Sequence, residues 1–368
     1  MNKTLLAVSL ALGFSSPSLA QTAELEQSAD NLVQITAPVA QSKEPAVQDT
    51  TAQSKTPAVQ VKEHSAEDFQ RYVTALKAEA AQQGIAQSVI DSAFANVKYH
   101  PKAVKADRNQ PESKRTLAQY LERALPDWKV AQARRYYDQN YAVLKKIGDE
   151  YGVQPRFIVA LWGVESSFGK LQGNYDVIDA LTTLAYDGRR EAFFRKEVMS
   201  ALQILNAGHI PLSEFKGSWA GAMGQCQFMP SSYLSFARDG NGDGKIDIWQ
   251  TKADVFASTA NYLKQAGWND EYTWGRTVKL PANFDQALIG RSKAQGKNLV
   301  EWQALGVRNQ YGGDLPALTD LTGWVIQPDG KGTQAYLVYG NYQALMDWNR
   351  SNYFALSVSL LANKIKYR

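Results

Sequence analysis

Residues 158–169 read IVALWGVESSFG, and the rest of the chain is best interpreted outward from this stretch. Pro155 stands just before it and suits the first turn of a helix, where the N–H that proline lacks would have no partner. The run that follows is apolar on every side, which predicts a helix buried on most of its faces. It delivers one carboxylate, Glu165, before Gly169 ends the helical pattern.

Glu165 is the first candidate catalytic residue. Burial disfavours the charged form of a carboxyl group, so we expect the pKa of Glu165 to be raised. An acid that stays protonated near neutral pH can supply the proton that a leaving glycosidic oxygen needs. The alternative is a structural glutamate bonded to neighbouring backbone, and this helix alone does not separate the two.

Composition limits the possible functions. The chain has 368 residues, of which 44% are hydrophobic, so it can bury a large core in more than one subdomain. The net charge is only +4 and the basic residues are scattered, which argues against a nucleic-acid partner. Three histidines, His64, His100 and His209, lack the spacing of zinc ligands. The single cysteine, Cys226, excludes an intramolecular disulfide and is interpreted as a packing residue.

The N-terminal segment predicts export. Residues 1–20 combine Lys3, an apolar run and the small residues that end at Ala20, as in a signal peptide cleaved after Ala20. No cysteine follows for lipid attachment and no later stretch is long enough to span a bilayer, so we expect a soluble protein. Residues 21–64 are polar, contain a near-repeat of AQSKxPAVQ and are predicted to form a disordered linker.

Periodicity predicts the remaining organisation. A helical domain is expected over 65–150, beginning with Ser65 as N-cap and including a single helix over 128–151. A core domain follows over 151–274 and a small β-rich insertion over 275–342, with a C-terminal helix over 343–368 that packs on the other helices. Strands are predicted at 277–280, 324–327 and 334–339, the last two joined by a turn at 328–332.

A glycine-rich segment at 216–233 reads KGSWAGAMGQCQFMPSSY. Glycines and small residues allow backbone to approach closely, either to another helix or to a ligand. Ser218 and Gln227 could hydrogen-bond a sugar amide or hydroxyl. A packing role explains the composition equally well.

Residues 239–247 read DGNGDGKID and match the calcium loop of an EF-hand. Oxygen ligands fall at positions one, three and five, glycine gives the turn at six, and a backbone carbonyl is available at seven. Position twelve departs from the pattern, because Gln250 replaces the bidentate glutamate. Asp247, Gln250 or Asp254 could close the site. We expect structural Ca²⁺ and no organic cofactor; the alternative is a turn without metal. The five predicted ligands are Asp239, Asn241, Asp243, Lys245 through its carbonyl, and Asp254.

Together and in this order, the GVESxxG stretch, the ALTTL block at 180–184, the Arg189–Arg190 pair, the glycine-rich segment and the calcium loop resemble the lytic murein transglycosylase B family, glycoside hydrolase family 103. The resemblance covers about residues 66–368. It implies an α+β, mainly α-helical fold: a lysozyme-like core with an EF-hand-like calcium loop, a helical flanking domain and a small β-rich domain.

The resemblance also implies an activity: cleavage of the MurNAc–GlcNAc β-1,4 bond of peptidoglycan without water, in cell-wall remodelling or recycling. Glu165 matches the single catalytic acid, which protonates the glycosidic oxygen. As carboxylate it then takes the proton of the MurNAc C6 hydroxyl, which attacks C1 and leaves a 1,6-anhydro ring. The implied partners are peptidoglycan strands and other cell-wall enzymes. From the predicted signal peptide we expect the protein in the periplasm, and we expect a monomer.

Substrate-binding positions carry over from the same resemblance. The matching residues are Ser218, Gln227, Phe228, Arg189, Arg190, Tyr262, Trp348, Asn349 and Phe354. Two of them depart from the family pattern, because Trp348 and Phe354 stand where tyrosines are usual. Both keep an aromatic wall but lose a hydroxyl, which leaves the hydrogen bonding of that subsite open.

Two alternative functions are also considered. A hydrolytic, lysozyme-like muramidase would need a second carboxylate facing Glu165. Its candidates by number alone are Asp176, Asp179, Asp187 and Glu191. A non-catalytic peptidoglycan-binding scaffold is disfavoured, because a pure binder has no use for a buried acid.

Overall fold

The computed structural model describes residues 65–109 and 115–367. The predicted signal peptide (1–20) and the predicted disordered linker (21–64) lie outside the described residues. Among the helices that are described, none has both the length and the apolar character needed to cross a membrane.

The described chain is mainly helical, as the sequence predicts. Its α-helices are α1 Ala66–Gln82, α2 Gln87–Ala93, α3 Pro101–Arg108, α4 Leu117–Ala124, α5 Asp127–Gln139, α6 Tyr141–Tyr151, α7 Pro155–Ser166, α8 Val177–Asp187, α9 Glu191–Asn206, α10 Pro230–Phe236, α11 Lys252–Gln265, α12 Leu299–Ala304, α13 Gly340–Trp348 and α14 Asn352–Lys366. Its strands are β1 Tyr175–Asp176, β2 Lys216–Gly217, β3 Gly275–Lys279, β4 Lys297–Asn298, β5 Arg308–Asn309, β6 Thr322–Ile326 and β7 Ala335–Val338.

Helix α7 is the centre of the fold. Pro155 occupies its first turn, and every residue from Phe157 to Ser166 is buried. It packs against α5, α6, α11 and α14, so the expectation of burial on most sides is confirmed. Fully burying one large apolar side chain contributes about 1.5–3 kcal/mol, so this helix anchors the main hydrophobic core.

Side-chain caps set the predicted helix start at Ser65 and a second helix start at Thr116. The Ser65 hydroxyl accepts a hydrogen bond from the Asp68 N–H at 3.0 Å and caps α1. Thr116 and Gln119 form a reciprocal capping box at the start of α4. Such caps pair backbone N–H groups that the first helical turn leaves without partners.

The prediction of one helix over 128–151 is wrong. The chain forms α5 and α6, separated at Asn140, whose φ of −110° and ψ of 12° depart from helical values. The Asn140 side-chain amide donates to the Tyr136 carbonyl at 2.7 Å. A short polar side chain that bonds nearby backbone competes with the helix, which explains the break.

The β-rich region forms a five-stranded antiparallel sheet with strand order β4-β6-β7-β3-β5. The three predicted strands are present with shifted bounds, and β6 pairs with β7 across the predicted turn. A separate hydrophobic cluster around Trp302 and Leu337 supports the sheet. The division into domains at 150, 274 and 342 stays a prediction.

Asp329, at the tip of the β6–β7 turn, ties the sheet to the helices. Its carboxylate accepts the Leu117 N–H at the start of α4, at 2.9 Å, and the hydroxyl of Tyr353 on α14. The turn of the sheet is therefore bonded to two helices that lie far apart in the sequence.

Candidate active site

Glu165 lies in the last turn of α7 and is only 6% exposed. Burial raises the pKa of Glu165 to about 8, and a hydrogen bond from Trp348 acts in the opposite direction. The carboxyl is therefore protonated at neutral pH in this environment, which is the state that proton donation requires.

The two oxygens of the Glu165 carboxyl have different surroundings. Oε1 accepts a hydrogen bond from the indole Nε1 of Trp348 at 2.6 Å. Oε2 is buried and has no hydrogen-bond partner among the described residues. A buried oxygen without a partner is costly unless a ligand or a proton uses it, so Oε2 calls for an explanation beyond the fold.

Trp348 is held in place by aromatic neighbours. It is the last residue of α13, and its ring centroid lies 5.2 Å from that of Phe228 and 4.7 Å from that of Tyr262. The Tyr262 hydroxyl donates to the Asp347 carbonyl at 2.7 Å. Trp348 therefore provides a hydrogen-bond donor at Glu165, at one of the two positions where the sequence departs from the resembled family's usual tyrosine.

The glycine-rich segment is hydrogen-bonded to α7 at residues next to Glu165 in the helix. The Gln225 side chain accepts from Trp162 Nε1 and donates to the Trp249 carbonyl, both at 2.7 Å. The Ser166 hydroxyl donates to the Gln225 carbonyl at 2.8 Å. A Cβ on Gly169 would lie 2.4 Å from Gln225 Oε1, so a glycine is required for this close approach.

Backbone strain is concentrated around Glu165. Three described residues other than glycine have positive φ, and they are Ser167, Phe168 and Gln227. The first two follow the acid immediately, and the side chain of Gln227 donates to the carbonyl of Gly224 at 2.8 Å. Each such residue costs of the order of 1–3 kcal/mol, and strain of this kind clusters at functional sites.

A cavity of about 420 Å³ opens beside the acid. Six of the ten predicted catalytic and binding residues line it: Glu165, Gln227, Phe228, Tyr262, Trp348 and Asn349. Seven more residues that the sequence analysis did not select complete the wall: Ala192, Phe193, Lys196, Glu197, Met229, Ser231 and Ser232. A mixed aromatic and polar wall of this kind suits a sugar ligand, which has both apolar faces and hydroxyls.

Glu197 is the main residue that the sequence analysis missed. It is 1% exposed, and its carboxylate accepts the Ser231 N–H at 2.8 Å and the Ser231 hydroxyl at 2.6 Å. Burial raises the pKa of Glu197, while these bonds and the charge of Lys196 lower it. The usable signal was helical spacing, since Phe193, Lys196 and Glu197 share one face of α9.

Two predicted binding residues do not reach the cavity. Ser218 is buried, and its hydroxyl accepts the Ala222 N–H at 3.0 Å, which shapes the glycine-rich turn. Phe354 is fully buried in the main core near the start of α14. Ser218 therefore shapes the glycine-rich segment and Phe354 packs in the core, and neither lines the cavity.

The arginine pair also lies outside the cavity lining. Arg189 Nε donates to Asp107 Oδ2 at 2.7 Å, and Arg190 pairs with the other oxygen of the same carboxylate. Asp107 belongs to α3 and is 2% exposed. The two arginines thus join α3 to the start of α9, about two helical turns before the cavity residue Lys196.

None of the four numbered candidates for a second carboxylate lines the cavity, and each has a basic side chain as its partner elsewhere. Asp179 lies 3.1 Å from His100, and Asp187 lies 2.5 Å from Arg108. The other pairs are Asp176 with Lys216 and Glu191 with Arg195. Glu197 is the second carboxylate that the described cavity does contain.

The predicted calcium loop is built from short-range hydrogen bonds. Asp239 accepts the N–H groups of Gly242 and Gly244 at 2.6 and 2.8 Å. Asp254 accepts those of Gly240 and Asp247 at 2.9 and 2.7 Å, which joins the two ends of the loop. Within the described residues, no three His, Cys, Asp or Glu side chains stand close enough together to hold a metal ion.

Known proteins resemble this chain over most of the described residues. Residues 68–363 match the family described as Transglycosylase SLT domain. The membrane-bound lytic murein transglycosylase B of Escherichia coli K12 is 31% identical over 237 residues, 62% of this chain. The match spans 62% of that relative's length, a little under two thirds.

Solved structures show the same fold. SltB3 from Pseudomonas aeruginosa, solved in complex with NAG-anhNAM-pentapeptide, is 42% identical with a TM-score of 0.78, covering 81% of this chain and 80% of that one. The lytic transglycosylase Slt35 of Escherichia coli, solved in complex with calcium, is 25% identical with a TM-score of 0.69, covering 81% and 92%. This chain therefore belongs to the Transglycosylase SLT domain family.

Proposed function

We propose that the protein is a lytic transglycosylase that cleaves the MurNAc–GlcNAc β-1,4 bond of peptidoglycan in the periplasm and leaves 1,6-anhydroMurNAc ends. The observation that carries the proposal is Glu165, a buried acid with a pKa near 8 and one unpartnered oxygen at a cavity wall. Family membership and the anhydro-sugar product bound to SltB3 support it.

The reaction needs one carboxyl group in two protonation states. Glu165 first gives its proton to the glycosidic oxygen, and the bond from that oxygen to C1 breaks with the electron pair leaving on oxygen. The MurNAc N-acetyl oxygen shields C1 during this step. The C6 hydroxyl then attacks C1 and returns its proton to the Glu165 carboxylate, so the acid is restored without water.

The cavity wall supplies substrate contacts. We assign Gln227 and Asn349 to sugar hydroxyl and amide groups and the rings of Phe228 and Tyr262 to the apolar sugar face. Ser218, Phe354 and Trp348 shape this wall. Arg189 and Arg190 sit at the start of α9 and would meet the stem peptide or the lactyl group beyond the sugar.

The loop at 239–254 suits Ca²⁺ in its chemistry. Asp239, Asn241, Asp243 and the Lys245 carbonyl supply hard oxygens in the order that an EF-hand uses, and Gly244 has the positive φ of the required turn. Asp254 would supply the carboxylate that the pattern places at position twelve. We propose that Ca²⁺ binds there and stabilises the fold, as the calcium complex of Slt35 supports.

Chelation tests the calcium site. Removing Ca²⁺ with a chelator should lower the Tm, because a ligand present at a hundred times its Kd stabilises by about 2.7 kcal/mol. Asp239→Asn should abolish the chelator effect, while Asp285→Asn, in the β-rich region, should retain it. An unchanged Tm with chelator would refute the site.

A hydrolytic muramidase is the second candidate, because Glu197 lines the same cavity as Glu165. In that reaction Glu197 would activate a water or attack C1. Both Glu197 oxygens accept hydrogen bonds from Ser231, so we favour a supporting role for this carboxylate.

Product analysis decides among the functions. Purified peptidoglycan is digested, and the released muropeptides are identified by mass spectrometry. Products one water lighter than reducing muropeptides establish the transglycosylase, and reducing products establish the muramidase. Glu165→Gln should lower the rate by about 10²- to 10⁴-fold, while exposed Glu271→Gln should not. Binding without release by the parent protein would indicate a scaffold.

A further inference from the structure

The indole N–H of Trp348 is a donor with no lone pair to offer in return. It can therefore donate to Glu165 Oε1, but it cannot accept the Glu165 proton. In a neutral carboxylic acid, the oxygen that accepts such a bond is the carbonyl oxygen, and the proton resides on the other oxygen. The surroundings of this carboxyl thus make its two oxygens chemically different before substrate arrives.

The donor is fixed in space. Trp348 ends α13, its ring contacts Phe228 and Tyr262, and the Asn349 N–H continues the helix by donating to the Leu345 carbonyl at 3.1 Å. Rotating the indole away from Glu165 would break these ring contacts. The hydrogen bond to Oε1 is therefore available in both protonation states of the acid.

We propose that Trp348 is a positioning residue that keeps the transferable proton of Glu165 on Oε2 throughout the reaction. Glu165 lines the cavity, and Oε2 is its oxygen without a hydrogen-bond partner among the described residues, so we assign the proton transfers to Oε2. The inference rests on the proposed function, since it assigns atoms to the two proton transfers of that reaction.

The steps balance at named atoms. The Oε2–H bond breaks as its proton moves to the glycosidic oxygen, and the resulting negative charge is shared with Oε1. The Trp348 N–H bond to Oε1 is then charge-assisted and stronger than in the neutral acid. Oε2 finally accepts the C6 hydroxyl proton, and Oε1 returns to the carbonyl form.

Other ionisable groups around Glu165 do not perform this role. Tyr120 of α4 and Cys226 of the glycine-rich segment have pKa values raised by burial, so both are neutral where Glu165 titrates. Tyr262 of α11 donates its hydroxyl to backbone. Lys196 and Glu197 of α9 line the cavity, yet the two causes of the Glu165 shift are burial and Trp348.

The test is a carbon-13 NMR titration of the Glu165 carboxyl, identified by its loss in Glu165→Gln. Trp348→Phe should raise the midpoint by about one pKa unit, because it removes a bond that favours the charged form. Trp348→Tyr restores a donor and should bring the midpoint back toward the parent value. Trp324→Phe removes an indole that donates to the Ser292 carbonyl in the sheet and should leave the midpoint unchanged.

The activity profile gives a second readout. The basic limb of kcat/KM against pH should move upward in Trp348→Phe by the same amount as the NMR midpoint. An unchanged midpoint in Trp348→Phe overturns the inference. The titration needs no turnover, so a failure of the proposed function, seen as absent anhydro products, is distinguishable from a failure of this assignment.

The parent protein supplies a check that requires no variant. In a crystal structure at atomic resolution and at a pH well below the Glu165 midpoint, the protonated oxygen has the longer bond to Cδ. We expect the longer bond at Oε2. A longer bond at Oε1 overturns the assignment.

Discussion

Two buried glutamates face the same cavity, and their surroundings differ. Glu197, on the α9 wall, has both oxygens satisfied by Ser231. Glu165, on the α7 wall, has one oxygen bonded to Trp348 and one without a partner. Burial raises the pKa of both groups, so burial alone does not identify a catalytic acid. The two groups differ in their hydrogen bonds: Glu165 keeps one oxygen without a partner among the described residues, which is why we propose it as the reactive carboxyl.

The largest expected effect is on stability as a function of pH. The pKa of Glu165 is raised from 4.5 to about 8 in the folded state, so the folded protein binds more protons than the unfolded chain between these values. The stabilisation that this group contributes is therefore present in full below pH 4.5. The free energy of unfolding then falls by up to about 5 kcal/mol as the pH rises from 4.5 through 8.

Glu165→Gln removes that dependence. Its Tm relative to the parent should increase steadily with pH over this interval, as followed by circular dichroism. Glu271→Gln is the matched control and should track the parent protein. A constant difference in Tm at every pH would show that Glu165 is ionised in the folded state and would weaken the contrast with Glu197.

The second effect is on Glu197 itself. Glu197→Leu removes the acceptors of both Ser231 donors, which leaves the Ser231 N–H without a partner and should cost about 1–3 kcal/mol. Urea unfolding measures this loss. Product release should fall much less than in Glu165→Gln. Loss of all product with an intact fold would break the comparison and favour the muramidase.

The smallest effect probes one hydrogen bond. Ser231→Ala removes the hydroxyl that donates to Glu197 at 2.6 Å and should lower the free energy of unfolding by about 0.5–1.5 kcal/mol. Ser235→Ala is the matched control, because its exposed hydroxyl bonds only the Ser231 carbonyl within α10. Equal losses of unfolding free energy in the two variants would show that the bond to Glu197 stabilises the fold no more than an exposed hydroxyl bond does.

The sequence predicted features that depend on local pattern. The burial of α7, the raised pKa of Glu165, the cap at Ser65 and the β6–β7 hairpin all follow from spacing within a few residues. The break at Asn140 was missed because a side-chain bond to backbone outweighed an unbroken helical pattern.

Contacts between residues far apart in the chain could not be predicted from the sequence. The Trp348 indole meets Glu165 across 183 positions, and only the folded chain shows that it donates to this carboxyl. The ion pairs of Arg189 and Arg190 with Asp107 likewise join separate helices, so the sequence could name the arginines but not their partner. The resemblance to a family pointed to these residues, and the folded chain shows which groups they contact.

The separation between Trp348 and Glu165 has a consequence for how activity arises during folding. Closing so long a loop is entropically slow, so contacts of this kind form late, after local helices are in place. The same holds for Asp329, which meets Leu117 across 212 positions. If α7 forms before α13 docks, we expect Glu165 to be hydrated at that stage and its pKa to be ordinary. The raised pKa that proton donation needs would then arise only when α13 covers the carboxyl.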